Sequence, residues 1–155
     1  PMFRRAKKCV AVEEKDINKW EYYLMKGNEY YFRSQYEGAA YCYSVSVEYL
    51  EVTVGRACIT CTDDRSFQHF LIACQNASHS FAMAGDLLKA EQYLSRAHYK
   101  FLSMVSESLK KNDSWQESVQ RICERSLDAL VQFLERHNRN GAAESVRFES
   151  QRLLN

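Results

Sequence analysis

The chain has 155 residues, 46% of them hydrophobic and 26% charged, with 21 Lys and Arg against 20 Asp and Glu for a net charge of +1. Such a length suits one domain with a continuous core. A near-zero net charge excludes a nucleic-acid binder that relies on a broad basic field, and no apolar run approaches the roughly 18 residues of a membrane span.

In chain order, residues 1–8 carry Arg4, Arg5, Lys7 and Lys8 and no acid, and read as a solvated basic tail. Residues 9–155 read as a single helical domain, because Pro1 is the only proline and five glycines leave long helices uninterrupted. The first helix is predicted over 16–33, capped by Asp16, with Ser34 and Gln35 turning the chain. A second is predicted over 36–61. It is weakest around Gly55, because Val52, Thr53, Val54, Ile59 and Thr60 are β-branched. Thr62, Asp63 and Asp64 form a cap cluster for a third helix reaching Met83. Gly85 and Asp86 turn into a fourth, which runs to about Lys110. Asn112, Asp113 and Ser114 break it, and Ser114 with Glu117 has the spacing of a capping box for the fifth. That helix is predicted to end near His137, where residues 138–141 form a turn into the sixth. Short turns make consecutive helices antiparallel.

A pattern of aromatic and small residues recurs along these elements. Phe81, Gly85, Ala90, Leu94 and Ala97 fall where a helical hairpin needs a plug, a turn and close helix approach. Residues 27–46 repeat it with Gly27, Tyr30, Ala39, Tyr43 and Ser46, and Phe133, Ala142 and Val146 make a fainter third copy. The aromatic and the small anchor both recur at intervals of 51 and 52. This pattern resembles a tetratricopeptide repeat, although that family's period is about 34 residues. Each unit here is longer, consistent with extended helices.

The resemblance implies an all-α fold, with about six helices arranged as antiparallel hairpins in a right-handed array. It implies a non-enzymatic scaffold, adaptor or dedicated chaperone that holds a partner helix or peptide in a groove. The groove-forming positions would be Leu24, Asn28 and Tyr31 from the first unit and Gln75, Asn76, His79 and Met83 from the second. At the third unit, Glu124 and Asp128 stand where the family's tail-binding members carry basic residues, so an acidic tail is expected to be repelled there. Two alternatives are a self-assembling subunit of a homo-oligomer or larger complex and a peptide-responsive regulator.

Eight of the ten tyrosines lie between residues 22 and 49. Tyr30 and Tyr43 are expected inside the first hairpin, and the remainder form a candidate aromatic interface or oligomer face. The six cysteines fall mostly inside predicted helices beside apolar neighbours, which implies reduced thiols and a cytoplasmic location. Cys58 and Cys61 have zinc-compatible spacing, but no further ligands are dictated, so no metal or other cofactor is expected. The four histidines lie in no catalytic motif, and paired acids fall at helix starts, where capping accounts for them. No enzymatic activity is expected.

Overall fold

A computed structural model describes residues 18–60, 65–108 and 111–154. All its secondary structure is helical: α1 (Lys19–Phe32), α2 (Tyr36–Thr60), α3 (Arg65–Met83), α4 (Leu87–Ser108), α5 (Asp113–Arg136) and α6 (Asn140–Leu154). Each helix packs against the next, and α4 also touches α6 while α3 touches α5. The result is three antiparallel hairpins, α1–α2, α3–α4 and α5–α6, laid side by side. Among the described residues no helix is long and apolar enough to cross a membrane.

The three hairpins close in the same way. Ser34, Gly85 and Asn138 adopt left-handed backbone with φ of 57°, 90° and 60°. The next amide in each case reaches back to the last turn: Gln35 to the Tyr30 carbonyl at 2.9 Å, Asp86 to Phe81 at 2.8 Å and Arg139 to Leu134 at 2.8 Å. This is a Schellman ending, which satisfies carbonyls the helix itself would leave unpaired. Four residues on, Ala39, Ala90 and Ala143 each donate into the opening turn of the second helix. These alanines are 0%, 0% and 1% exposed. Seven further on, Ser46, Ala97 and Ser150 are fully buried, so small side chains let the paired helices close.

That geometry corrects the third repeat. Ala143 is the small anchor and Leu134 takes the place of Tyr30 and Phe81, one position later than the Ala142 and Phe133 expected from sequence. The turn sets the alignment, whereas the sequence pattern weighted the aromatic ring of Phe133. Asn140 and Gly141 open α6 rather than belonging to the turn.

Two other local expectations change. The α5 cap is Asn112, whose side chain accepts from the Trp115 amide at 2.8 Å, and Ser114 already lies inside the helix. Nothing breaks α2 at Gly55, because Val54 and Ala57 on the same segment are buried and tertiary packing outweighs β-branched propensity. The expected caps at Asp16 and at Thr62, Asp63 and Asp64, and the basic tail, lie outside the described residues.

The largest core cluster joins α2, α3, α4 and α5, with Leu50, Phe70, Leu71, Phe101 and Val119 all at most 2% exposed. Phe67 meets Phe101 and Trp115 edge-on at 5.9 and 5.2 Å, and Phe70 meets Phe101 at 5.8 Å. A smaller cluster of Ala90, Leu94, Leu130, Leu134 and Ala143 holds the third hairpin to the second. At the other end, Ala39, Tyr43 and Ala77 fasten the first hairpin to α3. Within the first hairpin, Gly27 of α1 lets the Tyr43 ring of α2 approach closely, since a Cβ there would come within 2.6 Å of that ring. Tyr30, expected inside this hairpin, is instead 38% exposed, its ring lying against Gly38.

Candidate functional site

The first helices of the hairpins, α1, α3 and α5, meet along one side of the array. Trp20 on α1 stacks on His69 of α3 at 4.6 Å between ring centres. Further along, Tyr31 Oη shares a 2.7 Å hydrogen bond with His79 Nε2. Both contacts tie α1 to α3 and leave the opposite flank of α3 facing α5.

On that flank lies a groove of about 330 Å³. Its α3 wall carries Gln75, Asn76 and His79, and its α5 wall carries Gln132 and Arg136, with His137 just past the end of that helix. Ala82, Leu94, Ala129 and Phe133 supply the apolar surface between those walls. Phe133 is 9% exposed and its ring lies 4.5 Å from that of His137, so it serves as floor rather than as an exposed stacking face. Gln75, Asn76, Gln132 and Arg136 make no hydrogen bond or ion pair among the described residues. Their donors and acceptors are open to an incoming chain.

The seven residues expected to bind a partner therefore separate. Gln75, Asn76 and His79 line the groove together. Tyr31 is held by His79 at the α1–α3 seam and lies edge-on to Tyr36 at 5.3 Å. Asn28 accepts the Tyr43 hydroxyl at 2.5 Å, so its side-chain oxygen is committed inside the first hairpin. Leu24 packs against two core clusters. Met83, 48% exposed, stands at the end of α3 and does not line the groove. The α5 wall was missing from the sequence reading. Its signal was the spacing of Ala129, Gln132, Phe133 and Arg136, three and four residues apart on one helical face.

Among the described residues, Ser80 Oγ is buried without a hydrogen-bond partner, whereas the buried imidazole of His98 is held on both sides. His98 is fully buried, with Nδ1 3.0 Å from Ser126 Oγ on α5 and Nε2 2.8 Å from Ser150 Oγ on α6. Ser126 donates its own proton to the Cys123 carbonyl at 2.7 Å. It therefore accepts from Nδ1–H, and Nε2 is left to accept from Ser150. Burial pushes the His98 pKa down, while the Cys123 carbonyl and Glu149 oppose that shift in part. Arg96 on α4 is gripped by Glu48 at 2.9 Å and by Glu51, both on α2, which holds it firmly protonated despite its burial.

Cys42, Cys58, Cys74 and Cys123 are free thiols. Burial raises Cys42, pushes Cys123 up to about 12 and raises Cys74 further. Such thiols are poor nucleophiles and poor metal ligands. Among the described residues no group of three or more His, Cys, Asp or Glu is placed to hold a metal ion, and Cys61 lies outside them.

A family model described as protein of unknown function, DUF2753, matches residues 18–152. The chain belongs to the DUF2753 family. That match begins at the start of α1 and runs through most of α6, so it covers all three hairpins, including both walls of the groove. No curated protein and no solved structure matches the chain.

Proposed function

We propose that this DUF2753 member is a non-enzymatic scaffold or dedicated chaperone that holds a segment of a partner protein in the groove between α3 and α5. The observation that carries this reading is the groove's chemistry. Four polar side chains with no partner among the described residues stand over an apolar floor, on helices packed rigidly from behind. A partner helix or peptide would bury apolar side chains on that floor and hydrogen-bond the amides at its rim. Preformed helices leave most of the ordering cost to the partner. The tetratricopeptide-like spacing of the hairpins supports the same reading, and reduced thiols suit a cytoplasmic setting.

The test uses the purified protein as bait in lysate of its own source, with Gln132→Trp as control. Gln132 is exposed, so tryptophan there fills the groove without entering the core. A single dominant protein retained by wild type and lost from the variant, at unchanged helicity, is the expected result. Equal retention by both would refute the groove.

A second reading rests on a different observation. Phe32 is 87% exposed, Tyr41 65% and Val52 57%, and Tyr23 stacks with Tyr49 at 6.2 Å, giving α1 and α2 an open aromatic surface. That surface suits a self-assembling subunit. Light scattering of the pure protein separates the two readings: a dimer or larger species dissociated by Tyr41→Glu would favour assembly.

A further inference from the structure

The depression between α3 and α5 does not end at the groove. Toward the start of both helices, Phe67 and Gln68 of α3 face Arg121, Ile122 and Arg125 of α5 across a second hollow of about 150 Å³. Because α3 and α5 run parallel, the two hollows lie in sequence along one furrow, with arginines at both ends and amides between them.

Among the described residues, neither hollow is lined by a carboxylate, and helix α3 has no Asp or Glu from Arg65 to Met83. Glu124 and Asp128, the acids expected to oppose an acidic ligand, line neither hollow; their helical neighbours Arg121, Arg125, Gln132 and Arg136 do. Three arginines elsewhere are engaged: Arg96 with Glu48 and Glu51, Arg139 with Glu91 and Arg147 with Glu135. Arg121, Arg125 and Arg136 are exposed and have no ion-pair partner among the described residues.

We propose that the furrow docks an acidic amphipathic segment of a partner protein, with its carboxylates on Arg125 and Arg136 and its apolar side chains over Ala82, Leu94 and Ala129. An unpaired guanidinium presents a planar fork that a carboxylate fills with two parallel hydrogen bonds. Arg125 and Arg136 are eleven residues apart in the chain, about 16 Å along the helix. Two carboxylates span that distance when separated by about three turns of a bound helix or about five residues of an extended chain. The apolar floor needs buried side chains from the same segment, which a bare polyanion lacks. Nucleic acid fits less well: the whole chain is at net +1, and Phe67 and Phe133 are too buried to stack bases. The inference rests on reading the groove as a partner-binding surface and adds the partner's charge.

A phage library of random 16-residue peptides, panned against the full chain, tests both levels. Selected peptides are synthesised and measured by fluorescence anisotropy against wild type, Arg125→Gln/Arg136→Gln and Gln132→Trp, with circular dichroism confirming that each variant is folded. The expected winners are acidic and amphipathic. They should bind the double variant about tenfold more weakly, weaken as salt is raised, and lose affinity when their own Glu becomes Gln. Winners that are apolar, blocked by Gln132→Trp but indifferent to the arginine changes, would overturn the charge assignment and leave the groove standing. Winners indifferent to Gln132→Trp, or no winners at all, would overturn the groove as well. Tighter, arginine-dependent binding of single-stranded poly(U) than of any selected peptide would overturn the proposal in favour of nucleic acid.

Discussion

His98 shows how a single residue can set the pH response of this fold. Its imidazole is buried neutral between two serines, so protonation in the folded state is opposed by desolvation. A histidine whose folded pKa is depressed costs nothing above its unfolded value near 6.5. As pH falls through that value the unfolded chain takes up the proton and the folded chain does not, so stability drops by up to about 1.4 kcal/mol per pH unit. Urea melts at pH 7 and pH 5 should show this loss, and His98→Leu should make the pH dependence shallower. An unchanged slope in the variant would assign the effect to other groups. At Gly27 the prediction is steric: Gly27→Ala places a Cβ against the Tyr43 ring and should cost about 1–3 kcal/mol in denaturant unfolding. The cysteines give a chemical readout. Cys74 and Cys123 should stay unlabelled by a thiol reagent at pH 8 until denaturant is added, because burial disfavours their thiolates.

At the scale of elements, the repeated Schellman turn explains why six helices were legible in the sequence. Ser34, Gly85 and Asn138 with their flanking polar residues mark the hairpin turns, and the long uninterrupted segments between them have the composition of helices. Two details were not legible, for different physical reasons. Asn112 and Ser114 are both good caps, and only the backbone geometry decides which side chain reaches the Trp115 amide. The third hairpin is one residue out of step with the aromatic pattern, and burial rather than residue type identifies Ala143 over Ala142. That slip also hid the α5 wall of the groove, leaving the α3 residues Gln75, Asn76 and His79 as its visible half. Leu24 and Asn28 were named by position along α1, but their side chains are spent on the core and on Tyr43, which no spacing rule reveals. The turn also yields a paired test. Ser34 holds a conformation that disfavours any side chain, so Ser34→Gly should raise stability by about 0.5 kcal/mol, whereas Gly85→Ala should lower it by about 1 kcal/mol. Thermal melts of the two variants should therefore shift in opposite directions.

Across the whole molecule, the three hairpins divide the work. The core through α2–α5 holds α3 and α5 at a fixed separation, and the terminal hairpin contacts brace each side. What remains between α3 and α5 is a furrow with open amides and arginines over an apolar floor. The proposed partner binding there would need no movement of the scaffold, so mutations at Gln132 or Arg136 should change binding while leaving the melting temperature within about 2 °C of wild type. The most direct measurement places a photoactivatable benzoylphenylalanine at Gln132, and separately at the exposed Ser103 of α4, in cells that express the full chain. A discrete crosslinked partner at position 132 and none at 103 is the predicted result, with the adduct mapping to one acidic, amphipathic segment. Crosslinks equally frequent at both positions, or none at 132 beyond background, would contradict a partner-binding groove between α3 and α5.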